Sequence, residues 1–257
     1  MPTIITTLGS LFYTKHGDQG PTVICIHGAG GSHLHWGYQL RNLATTAQVI
    51  ALDLPGHGRS DPPGHMSVDN YSKAVIAFMD ALECERVILL GHSMGGAISM
   101  WTALAAPERV AALGLIGTGG RLRVLPQILD GLADEHQIAA TIQFIVEHAY
   151  VTTTPESIIQ QGIESYAACD PAIFRGDFIA CNNFDILTKL PAIHQASAII
   201  IGAEDQLTPP KYGDTLRTQM PNATLSLIPD AGHMVMIEQY EAVNSALQTF
   251  ITSTQSS

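Results

Sequence analysis

Gly91-His92-Ser93-Met94-Gly95 decides the fold. The five residues follow an apolar, β-branched run at 86–90 and precede a helix-like run that begins near Gly96. A G-x-S-x-G between a strand and a helix is the context of a nucleophile elbow, a strand-to-helix turn so tight that the serine backbone is strained. Residues two before and two after the serine must be small, and Gly91 and Gly95 meet that need. The turn leaves the hydroxyl exposed at a helix N-terminus, where backbone N–H groups and the helix dipole favour developing negative charge. The competing reading is a serine on an ordinary surface turn in a chain with 23 glycines.

Outward from this turn, residues 22–26, 48–52, 110–116, 196–202 and 223–228 are short apolar runs like that at 86–90. They read as strands buried on both faces. Residues 8–13 alternate weakly and predict an edge strand. Helical spacing appears near 36–43, then at 68–82, 97–106, 212–219 and 240–251, with Pro107 stopping the third of these. Strand and helix alternate, which predicts a mostly parallel sheet with helices on both faces. The rhythm breaks between residues 121 and 190, where only helical stretches occur, at 124–132, 137–149, 155–167 and 171–182. Residues 252–257 read as a frayed tail. The expected organisation is a core of 1–120 and 191–257 interrupted by a helical insertion at 121–190.

A chain of 257 residues, 46% hydrophobic and 14% charged, can bury one large α/β core. Its formal net charge of −11 argues against nucleic acid and anionic membranes as main partners. None of the four cysteines forms a C-x-x-C pair, so no zinc pattern is visible and no metal is expected. Without a leader pattern or an apolar run long enough to span a bilayer, a soluble cytoplasmic protein is expected.

A serine hydroxyl needs a positioned base to act as a nucleophile at neutral pH. In open α/β sheets the active groups come from loops at the carboxyl ends of strands. Two later loops qualify. Gly202-Ala203-Glu204-Asp205-Gln206-Leu207-Thr208-Pro209 follows one strand, and Pro229-Asp230-Ala231-Gly232-His233-Met234 follows the last. Of 11 histidines, His233 alone stands on a loop after the final strand. The acid could be Asp205, Glu204 or Asp230.

Five pieces in order resemble the α/β-hydrolase fold over nearly the whole chain: His27-Gly28-Ala29-Gly30-Gly31, Asp53-Leu54-Pro55-Gly56-His57-Gly58-Arg59-Ser60, the Ser93 turn, the Asp205 loop and the His233 loop. The resemblance implies a triad of Ser93 as nucleophile, His233 as base and Asp205 as the acid that orients it. The family's spacing before a proline favours Asp205 over its neighbours. It also implies an oxyanion hole made by the backbone amides of Met94 and Ala29, and a helical cap at the insertion. Asp53 and His57 match loop-bracing residues, His27 fixes the Gly-rich loop, and His92 packs beneath the elbow. His33 and His35 form a His-x-His that lacks a third metal ligand, and they read as helix-surface residues.

The implied activity is cofactor-free hydrolysis of a small-molecule carboxylic ester, uncharged or monoanionic and with an apolar part, through an acyl-enzyme. Carbon–carbon bond hydrolysis and perhydrolysis are alternatives on the same triad, although ring-cleavage-product hydrolases often carry Asn where His92 stands. Haloalkane dehalogenases and epoxide hydrolases use Asp where Ser93 stands, and a hydroxynitrile lyase would need a Lys beside His233. A small-molecule receptor on an intact triad is the alternative of another class. The insertion carries only Arg121, Arg123, Arg175 and Lys189 as cations, which disfavours a polyanionic substrate.

Overall fold

The computed structural model describes residues 2–255. Eight strands form one sheet: β1 (Thr3–Thr6), β2 (Gly9–His16), β3 (Thr22–Ile26), β4 (Gln48–Leu52), β5 (Val87–His92), β6 (Val110–Ile116), β7 (Ala196–Gly202) and β8 (Ala223–Ile228). Their order is β1-β2-β4-β3-β5-β6-β7-β8. The pairs from β4 to β8 are parallel, while β1 and β2 run antiparallel. The expected mostly parallel sheet is present, with β5 at its centre.

Successive residues of the inner strands point to opposite faces, and each face has its own apolar cluster. Ile24, Ile26 and Leu89 join residues of α2 (Val68–Ala81), α3 (Met94–Ala105) and α8 (Pro210–Gln219). Val23, Cys25 and Leu90 join residues of α1 (Gly37–Leu43) and α10 (Tyr240–Thr254). This two-sided burial explains why the inner strands read as continuous apolar runs.

Between β6 and β7 lie α4 (Pro126–Gly131), α5 (Ile138–Ala149), α6 (Glu156–Ala167) and α7 (Pro171–Asn183). Asp170 caps α7 by accepting the Ala172 amide hydrogen at 2.8 Å, and Pro171 follows at the first helical position. One bridge, between Arg121 and Asp185, joins the two ends of this helical stretch.

Three sequence expectations are corrected, and one element was not foreseen. The edge strand is β1, and the run at 8–13 belongs to β2, one strand further in. The helix after Ser93 begins at Met94, directly behind the turn. A short helix, α9 (Val235–Glu238), follows the His233 loop. Residues 252–254 continue α10 where a frayed tail was expected, and residues 256–257 lie outside the described residues.

Candidate active site

Ser93 sits between β5 and α3 with φ 53° and ψ −116°, a strained conformation for a residue with a side chain. Its backbone is held from three directions. The Ser93 amide donates to Ile116 at 2.9 Å. Its carbonyl accepts from the Gly96 and Ala97 amides at 2.9 and 3.2 Å and from the Thr118 hydroxyl at 2.8 Å. The two motif glycines are small for different reasons. A Cβ on Gly91 would collide with the Gly95 backbone, and one on Gly95 would collide with the Ile26 carbonyl of β3. In this buried turn Ser93 itself is only half-buried.

The two expected partners meet. His233 Nδ1 lies 2.9 Å from Asp205 Oδ2, with both residues buried. Asp205 accepts further hydrogen bonds from the Leu207 and Thr208 amides at 2.9 and 2.8 Å and from the Thr208 hydroxyl at 2.7 Å. Surrounded by donors, this carboxyl acts as an acceptor and receives a hydrogen bond from the Nδ1–H of His233. Nε2 is then left with its lone pair. Glu204 and Asp230, the alternative acids, are exposed.

The His233 loop is tied to the inserted helices. The amides of His233 and Met234 donate to the Ala149 carbonyl, the last residue of α5, at 2.8 and 3.1 Å. Glu238 accepts from the Gly232 amide and from the Val151 amide, both at 2.8 Å, and from the Thr154 hydroxyl at 2.7 Å. Burial raises the Glu238 carboxyl above its ordinary range, against these hydrogen bonds.

Ser93, His233, Ala29 and His92 line one cavity of about 310 Å³. Among the described residues the Ser93 and His233 side chains share no hydrogen bond; unliganded sites often hold such pairs loosely until substrate binds. The amides of Ala29 and Met94 likewise have no hydrogen-bond acceptor among the described residues. Six inserted residues supply much of the apolar wall: Leu122, Val124, Leu125, Ile128, Tyr166 and Phe178.

The Gly-rich loop is braced as expected. His27 Nε2 accepts from the Leu54 amide at 3.1 Å, and its Nδ1 lies 2.8 Å from the Gly28 carbonyl. Asp53 accepts from the His33 amide and Nδ1 at 2.6 and 2.8 Å and from the Arg59 amide at 3.0 Å. Burial alone would raise the Asp53 carboxyl, but these hydrogen bonds hold it below its ordinary value. His92 is buried under the elbow, its Nε2 3.0 Å from the His233 carbonyl. Burial, joined by the neighbouring His233, pushes its pKa well below the usual histidine value, so it stays neutral.

His35 departs from the sequence reading. It is 7% exposed, with Nε2 3.1 Å from the Ser165 hydroxyl, and it walls the Ser93 cavity. Burial lowers its pKa to about 4, the Asp53 carboxylate opposing.

Sequence reasoning missed Asp177. It belongs to α7 and is fully buried, yet its carboxylate accepts from the Gly30 amide at 2.8 Å and from the Tyr71 hydroxyl at 2.5 Å. It also lies 2.8 Å from His57 Nε2. Burial alone would lower the His57 pKa; the charge and hydrogen bond of Asp177 outweigh it and raise it to about 10. His57 Nδ1 faces the Pro55 carbonyl at 3.1 Å, so both ring nitrogens meet acceptors, as an imidazolium requires. The signal was present in the sequence. Phe174, Asp177, Phe178 and Cys181 share one helical face, and an acid in an apolar stripe needs a buried partner. Thr118 and Thr208 carried no comparable signal.

A family model described as alpha/beta hydrolase fold matches residues 21–240. The chain is 32% identical over 251 residues to the dihydrolipoyllysine-residue acetyltransferase component of an acetoin cleaving system from Pseudomonas putida, covering 91% of this chain. It spans only 64% of that relative's length. A 2-hydroxy-6-oxononadienedioate/2-hydroxy-6-oxononatrienedioate hydrolase from Pseudomonas putida is 29% identical, covering 94% of this chain and 91% of the relative. The solved structure of a thermophilic esterase superposes with a TM-score of 0.86 at 32% identity, covering 98% of this chain and 97% of the esterase.

Proposed function

The chain belongs to the alpha/beta-hydrolase fold family, and from that premise we propose that it is a serine hydrolase of carboxylic esters. The observation that carries the reading is the 2.9 Å contact of His233 with Asp205 in the loops that flank the cavity of the strained Ser93. Ser93 Oγ attacks the ester carbonyl while His233 Nε2 takes its proton. The amides of Ala29 and Met94 receive the oxyanion. The tetrahedral intermediate collapses, the alkoxide leaves with the proton from His233, and an acyl group remains on Ser93. Water, deprotonated by the same imidazole, then releases the acid and restores Ser93. Asp205 holds the imidazole in orientation and stabilises its charged form. The cycle calls for no cofactor. Residues 121–190 act as a cap over a core of 1–120 and 191–257, and the apolar wall they supply suits a small, largely apolar substrate. Four free cysteines support a reducing, cytoplasmic setting.

A second reading, hydrolysis of a carbon–carbon bond on the same residues, is favoured by the 29% identity to the oxononadienedioate hydrolase. One panel separates the two. p-Nitrophenyl esters from acetate to long acyl chains are assayed beside a 2-hydroxy-6-oxo-dienoate, each with Ser93→Ala as control. Ester turnover that depends on Ser93 and exceeds dienoate turnover supports the esterase. The reverse order assigns the carbon–carbon reaction, and ester turnover retained by Ser93→Ala overturns the mechanism.

A further inference from the structure

Acids outnumber Lys and Arg in this chain by 23 to 12, yet the Ser93 cavity reverses that balance. Arg123 and Lys211 line it, and no Asp or Glu does. Two other cavities have the opposite character. A space of about 780 Å³ is lined by Glu164 and Asp170, and one of about 340 Å³ by Glu135, neither with a Lys or Arg.

The positive charge at the Ser93 cavity is only partly neutralised locally. Asp185 is shared, 2.7 Å from Arg121 Nε and 3.6 Å from Arg123 Nη2, so one carboxylate serves two guanidinium groups. Arg123 spends a second donor on the Asn182 carbonyl at 2.7 Å, which fixes its position beside the cavity. Lys211, in the first turn of α8, has no acidic partner among the described residues. Both side chains are exposed, so they stand where the cavity meets solvent. Burial keeps His35 and His92, deeper in the same cavity, uncharged near neutral pH.

An apolar chamber with a nucleophile inside and two cations outside matches an amphiphilic monoanion. We infer that the preferred substrates carry a carboxylate, separated from the scissile carbonyl by an apolar segment, and that Arg123 and Lys211 select it. This rests on the Ser93 reading above and narrows its substrate class. Lys211 lies outside the inserted helices, so the selectivity is assembled from both parts of the chain.

Binding to the Ser93→Ala protein isolates the inference from turnover. Monomethyl adipate and dimethyl adipate present the same chain with and without the charge. An acetyl ester of hydroxyhexanoate and its methyl ester place the carboxylate on the alcohol side instead. Ligand-observed NMR titration should show at least one monoanion bound about three- to tenfold more tightly than its neutral partner. Raising salt from about 20 to about 300 mM should shrink the difference. Adding Arg123→Gln and Lys211→Gln together should bring the ratio near one while the neutral ester keeps its affinity, which a general loss of fold would not allow. No preference for either monoanion, or a preference that survives the double substitution, overturns the inference. Ester turnover by the unsubstituted protein tests the underlying reading separately.

Discussion

The Asp177 carboxylate accepts the Gly30 amide hydrogen at 2.8 Å, so a helix inserted between β6 and β7 holds the loop that carries Ala29. The same carboxylate carries the charge opposite His57. Replacing it by Asn keeps the volume but leaves the imidazolium unpaired. We expect Asp177→Asn to lower kcat about tenfold or more with little change in KM, because displacing the Ala29 amide, the proposed oxyanion donor, weakens the transition state more than substrate binding. Asp177→Ala should also cost about 3–5 kcal/mol of stability, as expected when one partner of a buried pair is removed. Steady-state kinetics and urea unfolding check both.

The His57–Asp177 pair has a defined pH window. The folded-state pKa of His57 is raised to about 10 from 6.5, so its stabilisation is complete below about 6.5 and is lost as pH rises through about 10. Unfolding free energy should therefore fall between pH 7 and 10, and His57→Gln should flatten that fall.

His35 gives the opposite slope. Its pKa is lowered to about 4 from 6.5, so its neutral burial contributes stability above about 6.5 that is lost as pH falls toward 4. Replacing it by Gln should make the protein less sensitive to acid over that interval, as read by unfolding midpoints at several pH values.

Thr208 donates to the Asp205 oxygen that faces His233, and its hydroxyl lies 3.2 Å from His233 Nδ1. Thr208→Val removes a hydrogen bond to a charged group, an effect of about 1.5–3 kcal/mol. Expressed in the transition state, that is about a tenfold or greater loss of kcat at similar KM. Thr208→Ser should recover most of it, whereas a purely steric role for the threonine would leave Thr208→Ser impaired.

The parts legible in the sequence were those set by local backbone demands. Strands β3 to β7 announced themselves because burial on both faces leaves little room for polar residues, while the edge strand β8 kept a short apolar run although it is largely half-buried or exposed. The Ser93 turn announced itself because its neighbours must be glycine. β1 escaped because Thr3-Ile4-Ile5-Thr6 is short and lies at the sheet edge, with Ile5 83% exposed. His35 was misplaced because a His-x-His looks alike on a surface and in a cavity wall. Asp177 reaches Gly30 across 147 positions, and Lys211 and Arg123 come together only as lining residues of one cavity. Such relationships depend on how α7 and α8 dock, which spacing along the chain does not encode.

The central claim is that Ser93 is a nucleophile activated by His233. The most direct measurement is reaction with a fluorophosphonate, followed by mass spectrometry of the modified peptide. The account predicts a single adduct on Ser93, formed within minutes and strongly slowed in His233→Ala. An adduct on another residue, or labelling of Ser93 that is unchanged by His233→Ala, would contradict it.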